Sequence, residues 1–209
     1  SSPDEVLFEQ IQQTLFPDTS YGVESGGDPE FIPDLTYEQF LEFHKRYYHP
    51  VNSYIYLYGD MDLVERLTYL DQEYLCRFDR IELDSSIRIQ TGFEEKKKLT
   101  SFYSVNTEEE AKEGAYYSYN VALTGTEDVV KQTAISLLCS ALIKRPGTPL
   151  KLAFTKAGIG ADSTALFEDE IAQPFVSIMV KNAPEDKEEE FLHILTETLE
   201  NCVKEGVSK

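Results

Sequence analysis

The stretch FVSIMVKNA (Phe175–Ala183) decides the fold class. It is β-branched or bulky at nearly every position, with no glycine or proline inside, which makes it a strand. STALFED (163–169), just upstream, has the same character and makes a second strand beside it. Working outward, AYYSYNVAL (115–123) and LTSFYSV (99–105) form another pair. The acidic turn TEEEAKEG lies between those two, and the pair reads as a hairpin with a long loop. Between the two pairs, residues 127–143 are amphipathic, with Val130, Ala134, Leu137, Leu138, Ala141 and Leu142 expected inward. Thr148-Pro149 opens a short helix that Gly158 closes. A last helix follows Pro184, acidic in its first turns and apolar along Phe191, Leu192, Leu195, Leu199 and Cys202. The order β-β-α-α-β-β-α predicts an α+β architecture: an antiparallel or mixed sheet with helices packed on one face.

The first part continues in the same style. Ser2, Pro3, Asp4 and Glu5 are start signals for a helix whose stripe is Val6, Leu7, Ile11, Thr14 and Leu15. PDTSYGVESGGDPEFIPD (17–34) is loop. Thr36, with Gln39 three residues on, forms a capping box for a helix carrying Phe40, Leu41, Phe43, His44 and Tyr47, which Pro50 stops. SYIYLY (53–58) is expected to be a strand, and Asp62 caps a helix running to about Phe78. The pattern dissolves between Asp79 and Lys98. This divides the chain into residues 1–80, a linker at 81–98, and residues 99–209.

A length of 209 residues, 41% hydrophobic, supports a packed core. The net charge of −19 argues against a nucleic-acid groove or an anionic membrane surface. Cys76, Cys139 and Cys202 are sparse and unpaired by motif, which is the usage of a reducing, cytoplasmic compartment. No run of 18 apolar residues occurs, and SSPDE is not a signal peptide. A chain that starts without methionine reads as a piece of something larger.

Metal chemistry has one obvious candidate, His44 and His49 in HKRYYHPVNSYIYLYGDMD (44–62). Zinc ligands on one helix face are spaced by three or four residues, whereas a five-residue step turns by about 140°. The two rings are therefore expected to diverge, with His44 on the helix and His49 at its end. Neither HExxH nor HxxEH occurs. Asp60, Asp62 and Asp71 read as cap and surface residues, the EEE runs at 108–110 and 188–190 as solvated turns, and His193 as exposed. KRPGTPLK (144–151) lacks phosphate-loop spacing, and no G-x-S-x-G elbow occurs. The tyrosine runs YIYLY and YYSY read as strand core and rim. The expected set of catalytic, cofactor-binding and metal-ligating residues in this chain is therefore none.

Longer phrases carry more. LFPDTSYGVESGGDPEFIPDLTYEQFLEFHKRYYHPVNSYIYLYGDMD (15–62) resembles the insulinase/pitrilysin family of inverted-motif zinc peptidases, nearest its presequence-protease branch. EGAYYSYNVALTG, RPGTPLKLAFTKAGIGADS and QPFVSIMVKN resemble the same proteins. Val51 stands where the family's phrase has serine. The resemblance implies αβ domains closing around a chamber in which unstructured peptides are cut. There HxxEH and a distal glutamate hold zinc, and the HxxEH glutamate serves as general base. It also implies that residues 1–80 end the catalytic-type domain and residues 99–209 begin the second, noncatalytic one. The zinc motif would lie before Ser1, so zinc is expected in the parent and not in this chain. The alternative is a noncatalytic homologue acting as partner or scaffold subunit. The implied partners are peptide substrates of the parent and the remaining domains of the same polypeptide, with no nucleic acid and no membrane. Self-association of the chain is expected where those domains are missing.

Overall fold

In the computed structural model, residues 2–107, 114–124, 128–159 and 162–207 are described. The α-helices are α1 (Pro3–Leu15), α2 (Tyr37–Tyr47), α3 (Leu63–Glu73), α4 (Val129–Cys139), α5 (Pro149–Ala157) and α6 (Glu188–Glu205). The strands are β1 (Ala115–Ala122), β2 (Asp162–Glu168) and β3 (Phe175–Ala183). The chain divides into two compact units, one of Ser1–Val23 with Arg88–Lys209 and the other of Glu24–Ile87.

In the first unit β3 is the central strand, in the order β1-β3-β2, and both of its pairings are antiparallel. Ile178 sits opposite Tyr119 on one side and Ala165 on the other. Because side chains alternate across a strand, β3 serves two clusters at once. Ile178 and Val180 join Leu142, Ile143, Leu150, Phe154, Phe191 and Leu195 under α4, α5 and α6. Phe175 and Met179 point the other way and join Ile11, Leu15 and Phe16 of α1 and its end. Burying each large apolar side chain of these clusters contributes roughly 1.5–3 kcal/mol. Asn182, at φ 54, takes the left-handed conformation that asparagine tolerates, beside the register shift between Ala115 and Tyr117. The α+β class is thus as expected, and the sheet is purely antiparallel. The addition is that α1 covers the second face.

Three local expectations are corrected. First, residues 99–105 join no ladder, so the chain from 99 on runs β-α-α-β-β-α. Tyr103 instead donates its hydroxyl to the carbonyl of Gly114 and leans on Tyr116, ring centroids 5.8 Å apart. Most of the TEEEAKEG turn (108–113) lies outside the described residues. Second, residues 53–58 form no strand. A strand exists only where a neighbour pairs its N–H and C=O groups, and residues 24–87 contain no β-strand to do so. Third, α4 presents a different stripe. Leu142 faces the core as expected, together with Ile135, Cys139 and Ile143, while Val130, Ala134, Leu137 and Leu138 are exposed. A π-helical turn at Ser140–Lys144 re-phases the end of the helix and brings Leu142 and Ile143 inward together. Glu127, where that helix was expected to begin, is outside the described residues.

The division at Ile87/Arg88 falls within 81–98, and residues 1–23 group with the second half because α1 packs on its sheet. The second unit carries α2 and α3, whose caps form as expected. Thr36 and Gln39 close the capping box, and the Asp62 carboxylate accepts the Glu65 N–H at 3.0 Å. Neither helix has a buried residue.

Candidate functional site

The two histidines that first suggested a metal each have a local role. The last turn of α2 stacks the His44 ring on Tyr48, centroids 4.6 Å apart and planes 11° from parallel. His49 lies beyond the helix end and caps the short turn Pro50–Asn52, its Nδ1 accepting the Val51 N–H at 3.2 Å. Its ring edge meets Phe78 at 5.3 Å. One ring is therefore exposed on a helix face, and the other is held by a backbone N–H and an aromatic neighbour. His193 is exposed on α6, 3.6 Å from Glu197 one helical turn on. Among the described residues no group of three or more His, Cys, Asp or Glu comes together.

The remaining candidates also resolve into structure. Asp62 is the cap of α3, and Asp60 and Asp71 are exposed. Glu188, Glu189 and Glu190 make the first turn of α6, where carboxylates suit the helix dipole. Glu188 pairs with Lys98 and Glu190 with Lys187. The run 108–110 is outside the described residues. In KRPGTPLK, Lys151 is engaged by Asp162 at 3.3 Å and by the Ser163 carbonyl at 3.1 Å, so its charge is already used. Gly158 ends α5 at φ 67, as a left-handed cap requires. The tyrosines split. Tyr117 and Tyr119 pack on the core, while Tyr54, Tyr56 and Tyr58 are almost wholly exposed.

Titratable groups shift only where packing demands it. Burial pushes the Cys139 thiol up, against the lowering effect of Lys144, and the side chain packs in the core. Burial also raises Tyr117, as do Asp186, Glu188 and Glu185, against the lowering effect of the Lys187 N–H on its oxygen. That hydroxyl donates to the Pro184 carbonyl at 2.6 Å and accepts the Lys187 N–H at 3.1 Å, which fixes the entry to α6. One open groove of the first unit, about 370 Å³, has an apolar floor of Tyr119, Leu195, Leu199 and Val203, with Lys96, Thr196, Glu200 and Lys204 also lining it.

Sequence reasoning passed over one polar cluster. Gln90 and Gln173 are buried, at 5% and 2% exposure, and bond reciprocally. The Gln90 N–H donates to Gln173 Oε1 at 2.7 Å, and Gln173 Nε2 donates to the Gln90 carbonyl at 3.2 Å. Glutamines in loop sequence carry no periodic or motif signal, so nothing in the chain could have flagged them.

With this geometry established, comparison with known proteins is informative. The sequence profile of the Peptidase M16 inactive domain matches residues 34–209. Protein HypA of Clostridium perfringens is 42% identical over 209 residues, covering all of this chain and 22% of that protein. The chloroplastic/mitochondrial presequence protease 1 of Arabidopsis thaliana is 35% identical, over 99% of this chain and 19% of its own length. The chain thus spans about a fifth of the length of these relatives. A crystal structure of an M16-like peptidase from Alicyclobacillus acidocaldarius superposes with a TM-score of 0.60 over 99% of this chain and 48% of that one, at 13% identity, a likeness of fold. The chain belongs to the M16 peptidases, the insulinase/pitrilysin family, and it matches that family's inactive domain.

Proposed function

We propose that this chain is the noncatalytic portion of a zinc-dependent metalloendopeptidase, forming part of the wall of a peptide-degrading chamber and the packing surface for the rest of the polypeptide. The observation that supports this most is the match of residues 34–209 to the family's inactive domain, in a chain whose relatives are four to five times as long. The residues present do not fit zinc. His44 is stacked on Tyr48, His49 Nδ1 is committed to a backbone N–H, and no third donor joins either among the described residues. No catalytic step therefore runs through these side chains, and the zinc belongs to another part of the parent. Peptide substrates reach this chain only as part of that parent.

The open apolar side chains of residues 24–87, among them Phe43, Tyr54, Tyr56 and Leu67, support a surface that the remaining domains cover. In their absence the chain self-associates. A cytoplasmic place for the parent is supported by the sparse, unpaired cysteines.

The test has two arms. The purified, zinc-loaded and dialysed chain retains no stoichiometric zinc and shows no EDTA-sensitive cleavage of an unstructured peptide. Bound zinc at one per chain, or chelator-sensitive cleavage, overturns the assignment. Reading about 150 codons upstream of Ser1 shows HxxEH and a distal glutamate. Their loss there would favour the scaffold-subunit alternative instead.

A further inference from the structure

The only covalent links between the compact units are the two crossings at Val23/Glu24 and Ile87/Arg88. Both leave the first unit from one polar knot. Asp18, on the first crossing, donates its N–H to Gln90 Oε1 at 3.0 Å, and its carboxylate accepts from Gln90 Nε2 at 2.8 Å. Gln90, on the second crossing, is bonded through its own N–H and C=O to the Gln173 side chain, on the turn between β2 and β3. Tyr21 adds a third bond, accepting the Ala172 N–H at 2.8 Å, while its ring meets Phe16 edge-on at 5.7 Å. Gln173 thus gives Gln90 the pair of bonds that a neighbouring strand would, in a place where no strand runs.

Buried amides are retained where each donor and acceptor is matched, because an unmatched one is costly. In this knot no buried side-chain nitrogen or oxygen is left without a partner. Around it the chain is open: Val23 is 68% exposed, residues 24–27 and 84–87 are exposed or only partly covered, and on the second crossing Arg88, Ile89 and residues 91–93 are exposed too, leaving Gln90 as the buried anchor. Gly27 sits at φ 84 close by.

We propose that Asp18, Tyr21, Gln90 and Gln173 form a fixed base from which both crossings start. Movement of residues 24–87 is then taken up at 24–27 and 84–89, and not within 16–22 or at Gln90. The device is a joint with a pinned root. It depends on the first unit alone and stands whether or not the parent is a peptidase.

Three amide protons report the base directly, because each is held by a side chain and not by a ladder: Asp18, Gln90 and Ala172. In NMR hydrogen exchange on the full chain, Gln173→Met keeps the volume and removes both bonds to Gln90. Exchange at Gln90 accelerates roughly tenfold or more, while Ile178 and Val180 in β3 keep their wild-type rates. An unchanged rate at Gln90, or the same acceleration in β3, overturns the proposal. If Gln173→Met does not fold, Gln90→Ala carries the test. It frees the Asp18 N–H alone, so Asp18 exchange rises with β3 unchanged, and an unmoved Asp18 rate refutes the base. In the unmodified chain, backbone order parameters fall at 24–27 and 84–89 relative to 16–22 and Gln90. Equal mobility at these four places also refutes it.

Discussion

Phe191→Ala tests how the last helix seats on the sheet. Phe191 is 1% exposed and lies between two rings, Phe154 at 5.5 Å and Tyr117 at 5.7 Å, both close to parallel. Truncation returns roughly 100–150 Å² of apolar burial, worth about 2.5–4 kcal/mol. Breaking the two ring contacts adds about 0.5–1.5 kcal/mol. The expected loss is about 4 kcal/mol, inside the usual range for removing a core phenylalanine. Against a total stability of about 5–15 kcal/mol, that is a large fraction. Urea unfolding followed by far-UV circular dichroism measures it as a drop in midpoint at unchanged slope. Leu192→Ala is the control. Its side chain is one residue away on the same helix but 39% exposed, and its loss stays below about 1.5 kcal/mol. A Phe191→Ala loss below about 1 kcal/mol, or one no larger than the control's, would refute the packing of α6 described above.

Stability falls in alkali. Cys139 and Tyr117 are both raised in the folded chain from ordinary values of 9.0 and 10.0, so the folded state holds their protons more tightly than the unfolded state. Their contribution is complete below those values and is lost as pH rises through the folded ones. A thermal midpoint that drops above pH 9.0, and drops less in Cys139→Ala, is the expected record; a profile identical in the variant excludes the thiol. Tyrosine nitration distinguishes the two tyrosine runs. Tyr54, Tyr56 and Tyr58, at 104%, 85% and 85% exposure, react before Tyr117 and Tyr119, and peptide mapping that finds the reverse order contradicts their exposure.

Much of the local structure was legible. The Ser2 cap and the capping box at Thr36–Gln39 form, as do the Asp62 cap, the Gly158 terminator and the strand pair around 163–169 and 175–183. Each is decided by residues within four positions of one another or by a strong run of strand formers, so the sequence carries the cause. That His44 sits on the helix and His49 beyond its end was legible for the same reason, since Pro50 stops the helix. Family membership was readable from long phrases that composition alone could not distinguish.

The misses share a cause. The SYIYLY segment has every intrinsic mark of a strand, and LTSFYSV has most of them, yet a ladder is a property of two chains and neither segment has one. Helix α4 ends at Cys139 and passes into a π-helical turn, and of the stripe expected for it Leu142 is buried while Val130, Leu137 and Leu138 are exposed.

The amino-acid sequence by itself determined where the capped helices begin, which runs could be strands, and which family of peptidases this chain resembles, since those rest on neighbouring residues and on long matching phrases. Tertiary structure alone decided that α1 lies on the second face of the sheet, that β3 is central, and that Gln90 meets Gln173 across 83 positions. Those outcomes depend on burial and on pairing between distant segments, where each group's stability is set by a partner that its own neighbourhood does not name.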